Sequence, residues 1–171
     1  MKKWKIQGDG DKDLIGVLLS NRGLGTKKEN EYFFHPPHPS HLPNLFKGQL
    51  SRAISRIKKA INNKESIVVY ADYDADGITA GAIMWETLYK LGANVMPYIP
   101  DRREEGYGLS IKGIDTVRGK YNPTLIITVD HGITAWEKVK YAQKFGIDVI
   151  VTDHHVKPKK LPDCLIVHTT E

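Results

Sequence analysis

Two kinds of apolar spacing divide the chain. From Gln49 to Asn63 the apolar positions Leu50, Ile54, Ile57 and Ile61 recur at intervals of four, three and four. That is one face of a helix. From Ser66 onward the pattern alternates between two textures. "SIVVYA", "NVMPYI", "TLIITVD" and "DVIVTD" are short apolar runs without polar alternation, and "CLIVH" is a candidate fifth. Between them lie "GITAGAIMWETLYKLGA", "LSIKGIDTVRGKY" and "TAWEKVKYAQKFG", each with helical spacing. Strands separated by helices of ~12 residues predict right-handed crossovers and a parallel sheet. Strands apolar on both sides predict a sheet covered on both faces. The expected fold is therefore α/β, doubly wound, with a mainly parallel sheet over residues 47–171.

Residues 1–46 pattern loosely. "DLIGVLLSNRGLG" predicts a short apolar helix ending at Gly23, and "ENEYFF" another helical turn. The prolines of "HPPHPSHLPN" exclude helix and predict an extended connector. His35, His38 and His41 recur every third residue there. A solvated loop is the expectation for them, because proline fixes geometry without making a pocket.

Composition adds limits. Of 171 residues, 40% are hydrophobic and 26% charged, the balance of a globular domain. The formal charge of +5 and a pI near 9.2 are compatible with a polyanionic partner. Cys164 is the single cysteine, which excludes an intrachain disulfide and suits a reducing, cytoplasmic setting. No apolar run approaches the ~20 residues of a membrane span. Arg52, Arg56 and Lys59 form a basic stripe on the helix of residues 49–63, either a solvated face or a contact to phosphates.

The chemistry gathers at strand ends. The successive strands lead into Asp72-Tyr73-Asp74-Ala75-Asp76-Gly77, Asp101-Arg102-Arg103, Asp130-His131 and Asp153-His154-His155. In an open parallel sheet those ends share one edge, where ligands bind. One aspartate there is commonly a helix cap; four acidic turns on one edge repel unless divalent cations compensate them. Carboxylates with imidazole suit manganese or magnesium before zinc or cobalt. A calcium loop of the helix–loop–helix kind is excluded. A strand precedes Asp72, and the twelfth position holds Ile83 where a bidentate glutamate belongs. Two cations among carboxylates suit phosphoryl chemistry. Gly77 allows close backbone approach, and the helix it opens offers N–H groups to phosphate.

"DYDADG", "IPDRREEGYGLS", "LIITVDHGI" and "VIVTDHH" resemble, in order, the motifs of the DHH phosphoesterase superfamily, and within it the RecJ branch of 5′→3′ exonucleases specific for single-stranded DNA. The likeness runs from about Leu14 to Leu161. It implies two Mn²⁺ or Mg²⁺ ions, Asp74 on one, Asp76 and His154 on the other, and Asp130 bridging them. It implies that His155 faces the scissile phosphate, and that Asp72 and Asp153 orient the site. Arg102 and Arg103 would hold phosphate or pair with Glu104 or Glu105; Tyr107 would stack on a base or pack in the core; His131 would be an extra ligand or line the pocket. Tyr70 stands where pyrophosphatase relatives have a histidine, which favours the RecJ branch. The resemblance also implies a fourth motif and a second domain beyond this sequence, since Asp163 lies too near "DHH" to be the missing aspartate. Three functions stay open: a RecJ-like exonuclease core, a phosphodiesterase for short oligonucleotides or cyclic dinucleotides, and a non-catalytic metal- or DNA-binding subunit that needs a partner polypeptide.

Overall fold

The computed structural model describes residue 3, residues 13–38 and residues 48–169. The chain divides into two compact units, Met1–Pro43 and Asn44–Glu171. The boundary expected between residues 46 and 47, His41 and the later part of the proline-rich connector lie outside the described residues.

The first unit holds two short helices, α1 (Leu14–Asn21) and α2 (Lys27–Phe34). Helix α2 starts earlier than "ENEYFF" suggests, because Thr26 and Glu29 form a reciprocal cap. Glu29 N–H donates to Thr26 Oγ1 at 3.2 Å, and Thr26 N–H donates to Glu29 Oε2 at 2.8 Å. The Thr-x-x-Glu spacing was the available sequence signal. His35 caps the end of α2, and neither it nor His38 joins a group able to hold a metal among the described residues.

The second unit begins with α3 (Gln49–Asn62). It continues as β1 (Ser66–Ala71), α4 (Ala75–Lys90), β2 (Asn94–Tyr98), α5 (Ile111–Tyr121), β3 (Leu125–Val129), α6 (Trp136–Gln143), β4 (Asp148–Asp153) and β5 (Leu165–His168). The five strands pair in parallel in the order β2-β1-β3-β4-β5, so the fold is α/β with a parallel sheet. Alternate residues of each strand feed two cores. Val68, Tyr70, Ile126, Val149 and Val151 pack against Ile114 and Val117 of α5 and Val139 and Ala142 of α6. Ile67, Val69, Ile127 and Ile150 pack against Ala53 and Ala60 of α3 and Leu88 of α4. Both sides of every central strand are dry, which explains the uninterrupted apolar runs.

The basic stripe of α3 is divided by the fold. Arg56 Nη2 donates to Glu65 at 2.7 Å and Arg56 Nε to Asp148 at 2.6 Å. Glu65 also accepts from Thr124. These partners sit at the amino-terminal ends of β1, β3 and β4, opposite the edge that carries the acidic turns. Arg56 is thus a tie holding α3 to the sheet, not a group free for phosphate. Only 17% of its side chain is exposed, so the pair to Glu65 is largely shielded. Arg56→Ala should lower stability by about 2 kcal/mol, the scale of charge-assisted hydrogen bonds with a carboxylate left behind. A urea titration checks this: the midpoint falls while the slope stays unchanged.

Candidate metal centre

The sheet register assembles the site. Ala71 pairs with Val129, and Val129 with Thr152. The next residue on each strand is an aspartate: Asp72, Asp130 and Asp153 stand side by side at the carboxyl edge. The chain leaves β1 toward β2 on one side and returns to β3 on the other, so Asp72 and Asp130 flank the point where the strand order reverses.

After β1 the chain turns tightly into α4. Asp72 is fully buried; its Oδ1 accepts from Tyr73 N–H at 2.8 Å, and its Oδ2 has no hydrogen-bond partner. Asp74 is the N-cap of α4, accepting from Gly77 N–H at 2.9 Å. That hydrogen bond is the main reason its carboxyl is held below the usual range. Gly77 is pressed onto the turn: a Cβ there would lie 2.6 Å from both the Cβ and the carbonyl oxygen of Asp72. The glycine expected to admit phosphate thus first admits the backbone of Asp72.

Asp130 adopts the left-handed conformation at φ 66°, which aspartate tolerates better than most residues. Its N–H donates to Thr152 O at 3.0 Å. Burial, and then the nearby Asp74 charge, raise its carboxyl above the usual value. His154 Nε2 lies 2.9 Å from Asp130 Oδ1. Asp153 accepts from the backbone N–H groups of Ile133, His154 and His155, at 2.9, 2.7 and 3.0 Å. Burial alone would raise its carboxyl, but these donors and the His155 ring hold it low. His155 Nδ1 lies 2.7 Å from Asp153 Oδ1, and this hydrogen bond raises the imidazole above its usual value.

Among the described residues two groups able to hold a cation result, Asp72–Asp74–Asp130 and Asp130–His154–His155, each with its ligand atoms within 4.8 Å of one another. They share Asp130. Three carboxylates crowd the first group, one with an orphaned buried oxygen, and a carboxylate with two imidazoles forms the second. Both donor sets fit a divalent cation. Asp76 is exposed and belongs to neither group; it lines an adjoining crevice of about 440 Å³ together with Asp130 and His154. The sequence assigns Asp72 an orienting role; in the structure one of its carboxylate oxygens also lies within 4.8 Å of ligand atoms of Asp74 and Asp130.

The second acidic turn does something different. Asp101 Oδ1 accepts from the N–H groups of Arg103 and Glu104, at 2.8 and 3.1 Å, and so caps its own loop. Only three of the four acidic turns converge. Glu104 pairs with Lys112 and Glu105 accepts from the Tyr98 hydroxyl, so neither takes up the arginines. Arg102 lies over the Tyr73 ring at 5.1 Å. Tyr107 is 56% exposed, not core, with its ring 6.5 Å from that of His155. His131 turns from the carboxylates: it is buried, edge-on to Tyr70, with Nε2 3.0 Å from the Tyr70 carbonyl. Tyr73, unremarked in the sequence, joins Arg102 to Tyr107, and its place between Asp72 and Asp74 was the available signal.

Comparison with known proteins agrees with this architecture. A single-stranded-DNA-specific exonuclease RecJ of Bacillus subtilis (strain 168) is 40% identical over 179 residues, covering 97% of this chain and 23% of the relative. The chain thus spans about a quarter of the length of that relative. A crystal structure of exonuclease RecJ bound to manganese superposes with a TM-score of 0.65 at 40% identity, covering 70% of this chain and 31% of the other. RecJ of Thermus thermophilus in complex with Mn²⁺ gives 0.65 at 32% identity, over 90% of this chain and 21% of the other. The family profile described as DHH family, N-terminal domain, matches residues 66–171. Those residues run from the first residue of β1 through every acidic turn described above, and the chain belongs to the DHH family.

Proposed function

We propose that this chain carries the metal-binding part of a RecJ-like exonuclease, hydrolysing phosphodiesters of single-stranded DNA from the 5′ end. The observation that carries the reading is the pair of cation-holding groups joined through Asp130. Asp74 and Asp130, with Asp72 behind them, would hold one Mn²⁺ or Mg²⁺. Asp130 and His154 would hold the other, with Asp76 reaching it from the adjoining crevice. Cations bound there supply positive charge to a phosphate and acidify water.

The protein's own groups do the rest. Asp130 keeps the two groups in register through its backbone hydrogen bond to β4. Asp153 fixes the His155 ring and favours a proton on it, so His155 can donate from its other nitrogen to a phosphate oxygen or the leaving oxygen. Arg102 and Arg103 neutralise phosphate at the rim, and Tyr107 offers its exposed ring to a base. The half-buried Cys164 thiol, pushed up to about 12 by desolvation, is inert and suits a reducing cytoplasm. No helix among the described residues is long and apolar enough to cross a membrane. A further domain or a second polypeptide that grips the strand completes the enzyme in this reading.

The test uses single strands labelled at either end, with manganese. The chain is assayed alone and with the remainder of a full-length RecJ. Mononucleotides released first from the 5′ end support the proposal. Hydrolysis confined to dinucleotides or cyclic dinucleotides would replace it with the oligonucleotide phosphodiesterase, and binding without hydrolysis in both settings with the non-catalytic subunit.

DNA binding should also be sensitive to salt in a site-specific way. Each phosphate neutralised on a single strand contributes about 0.7 to the slope of log affinity against log salt. Arg102→Glu should lower the slope by roughly that amount. Lys59→Glu, one turn from Arg56 toward the opposite edge, should leave it unchanged. Equal slopes in wild type and Arg102→Glu would remove the loop from the DNA path.

A further inference from the structure

The loop that joins β2 to α5, residues 99–110, carries Arg102 and Tyr107 to the rim of the metal centre. Its first half is a compact turn. Glu105 N–H donates to Asp101 O at 2.8 Å, and the Asp101 carboxylate caps the N–H groups of Arg103 and Glu104. One side chain of this turn reaches back into the fold. Both carboxylate oxygens of Glu105 lie against the Tyr98 hydroxyl, at 2.6 and 2.7 Å. Tyr98 ends β2; it is buried and packs on Tyr70 with ring centroids 5.0 Å apart. Burial, and then Glu105, push its hydroxyl above the usual value, so it stays a donor. The first turn of α5 closes the other side: a Cβ at Gly113 would lie 2.7 Å from Glu105 Oε2. Glu105 is half-buried in this notch, while its neighbours Glu104 and Gly106 are exposed.

The second half of the loop spans two fixed points. Gly106 and Gly108 adopt the left-handed backbone at φ 81° and 67°, and Leu109 beyond them is buried in the core under α5 and α6. Tyr107 stands between these glycines. Its ring meets Tyr73 edge-on at 6.2 Å and His155 at 6.5 Å, and Arg102 of the turn covers Tyr73. Glycine on each side leaves the backbone many directions, so the ring keeps one direction only if both ends are held. Leu109 holds one end and Glu105 the other. A hydrogen bond from a hydroxyl to a carboxylate is among the stronger single ties. The Glu105 carboxylate is turned toward Tyr98, and its charge would repel a phosphate. Its chemistry therefore suits holding the loop and not touching the strand.

We propose that Glu105 is a positioning residue: its hydrogen bond to Tyr98 latches the loop so that Tyr107 and Arg102 face the substrate strand beside His155. The proposal rests on the reading above of Tyr107 and Arg102 as strand contacts, and it names what holds them in place.

The experiment uses the 171-residue chain with labelled oligothymidylate, without metal, and amide hydrogen exchange on the same variants. Glu105→Ala should speed exchange at residues 102–109 roughly tenfold, as loss of one hydrogen bond to a charged group implies, and leave β1 and β3 protected. It should weaken oligothymidylate binding roughly tenfold, the loss of about one stacked base. Charge by itself predicts the reverse, since deleting a carboxylate favours a polyanion. Tyr98→Phe should reproduce both effects. Glu105→Gln, whose carbonyl oxygen still accepts from Tyr98, should stay within about twofold of wild type in both. Tyr107→Ala should weaken binding as much as Glu105→Ala, and the two together no further, because they remove the same contact. Unchanged loop exchange in Glu105→Ala overturns the latch, as do faster exchange throughout the sheet, additive losses in the double variant, or a loss in Tyr107→Ala without one in Glu105→Ala. The last of these leaves the strand contacts standing. Faster loop exchange in Glu105→Ala with wild-type binding by both single variants, or no binding by wild type, overturns the strand-contact reading and with it the role of Glu105.

Discussion

Manganese should raise the thermal unfolding midpoint of this chain, and Asp130→Asn should erase the rise. A ligand that binds only the folded state stabilises it by about 2.7 kcal/mol at a hundredfold excess over its dissociation constant. For a chain of this size that is a shift of roughly 8 °C. Asparagine is the informative replacement, because it keeps both the shape and the tolerance of the left-handed backbone at φ 66°. Alanine would add backbone strain to the result. The sign of the metal-free effect is also fixed. The Asp130 carboxyl is raised in the folded state, chiefly by burial and then by Asp74. A carboxyl raised on folding costs nothing below its unfolded value and costs the full amount above its folded value. At neutral pH the charge therefore destabilises the metal-free fold, and Asp130→Asn should unfold at a higher temperature than wild type without manganese. The order should reverse once manganese is added. Manganese-dependent hydrolysis in the reconstituted enzyme should fall with the same substitution by about a thousandfold or more, as both cation groups lose their shared ligand. Parallel manganese shifts in wild type and Asp130→Asn would refute the centre.

Gly77→Val should damage fold and centre together. The first added carbon already meets Asp72 at 2.6 Å, against its Cβ and its carbonyl oxygen. Neither can step aside, because Asp72 is fully buried and follows directly on β1. Helix α4 must instead lift from the strand end, and the Gly77 N–H that caps onto Asp74 moves with it. Overpacking of this kind costs about 3 kcal/mol, with the lost cap adding about 1. Guanidinium unfolding should show that drop, and manganese affinity should fall as Asp74 leaves the shared group. Gly119→Val supplies the control: it too is a helical glycine, but a Cβ there meets nothing within 4 Å. Equal losses for the two variants would attribute the effect to helix propensity and not to the close approach.

The sequence by itself determined the layers. Unbroken apolar runs such as Leu125–Val129 state that both faces of the sheet are covered, since only a strand dry on each side dispenses with polar alternation. It also determined that aspartates and histidines sit at strand ends, because strand and turn are local properties. Pairing register is not local, and the tertiary structure decided it. Ala71 opposite Val129 opposite Thr152 is what sets Asp72, Asp130 and Asp153 abreast, and one step of slippage would have parted them. The fold likewise decided which like residues do unlike work. Asp101 spends its carboxylate on its own loop, while the Asp130 carboxylate meets His154 from another strand end. Arg56 was one of three equal members of a stripe until Glu65 and Asp148 came to it from distant parts of the chain. A charged side chain acts according to the partners and burial it meets, and those come from segments far apart in sequence.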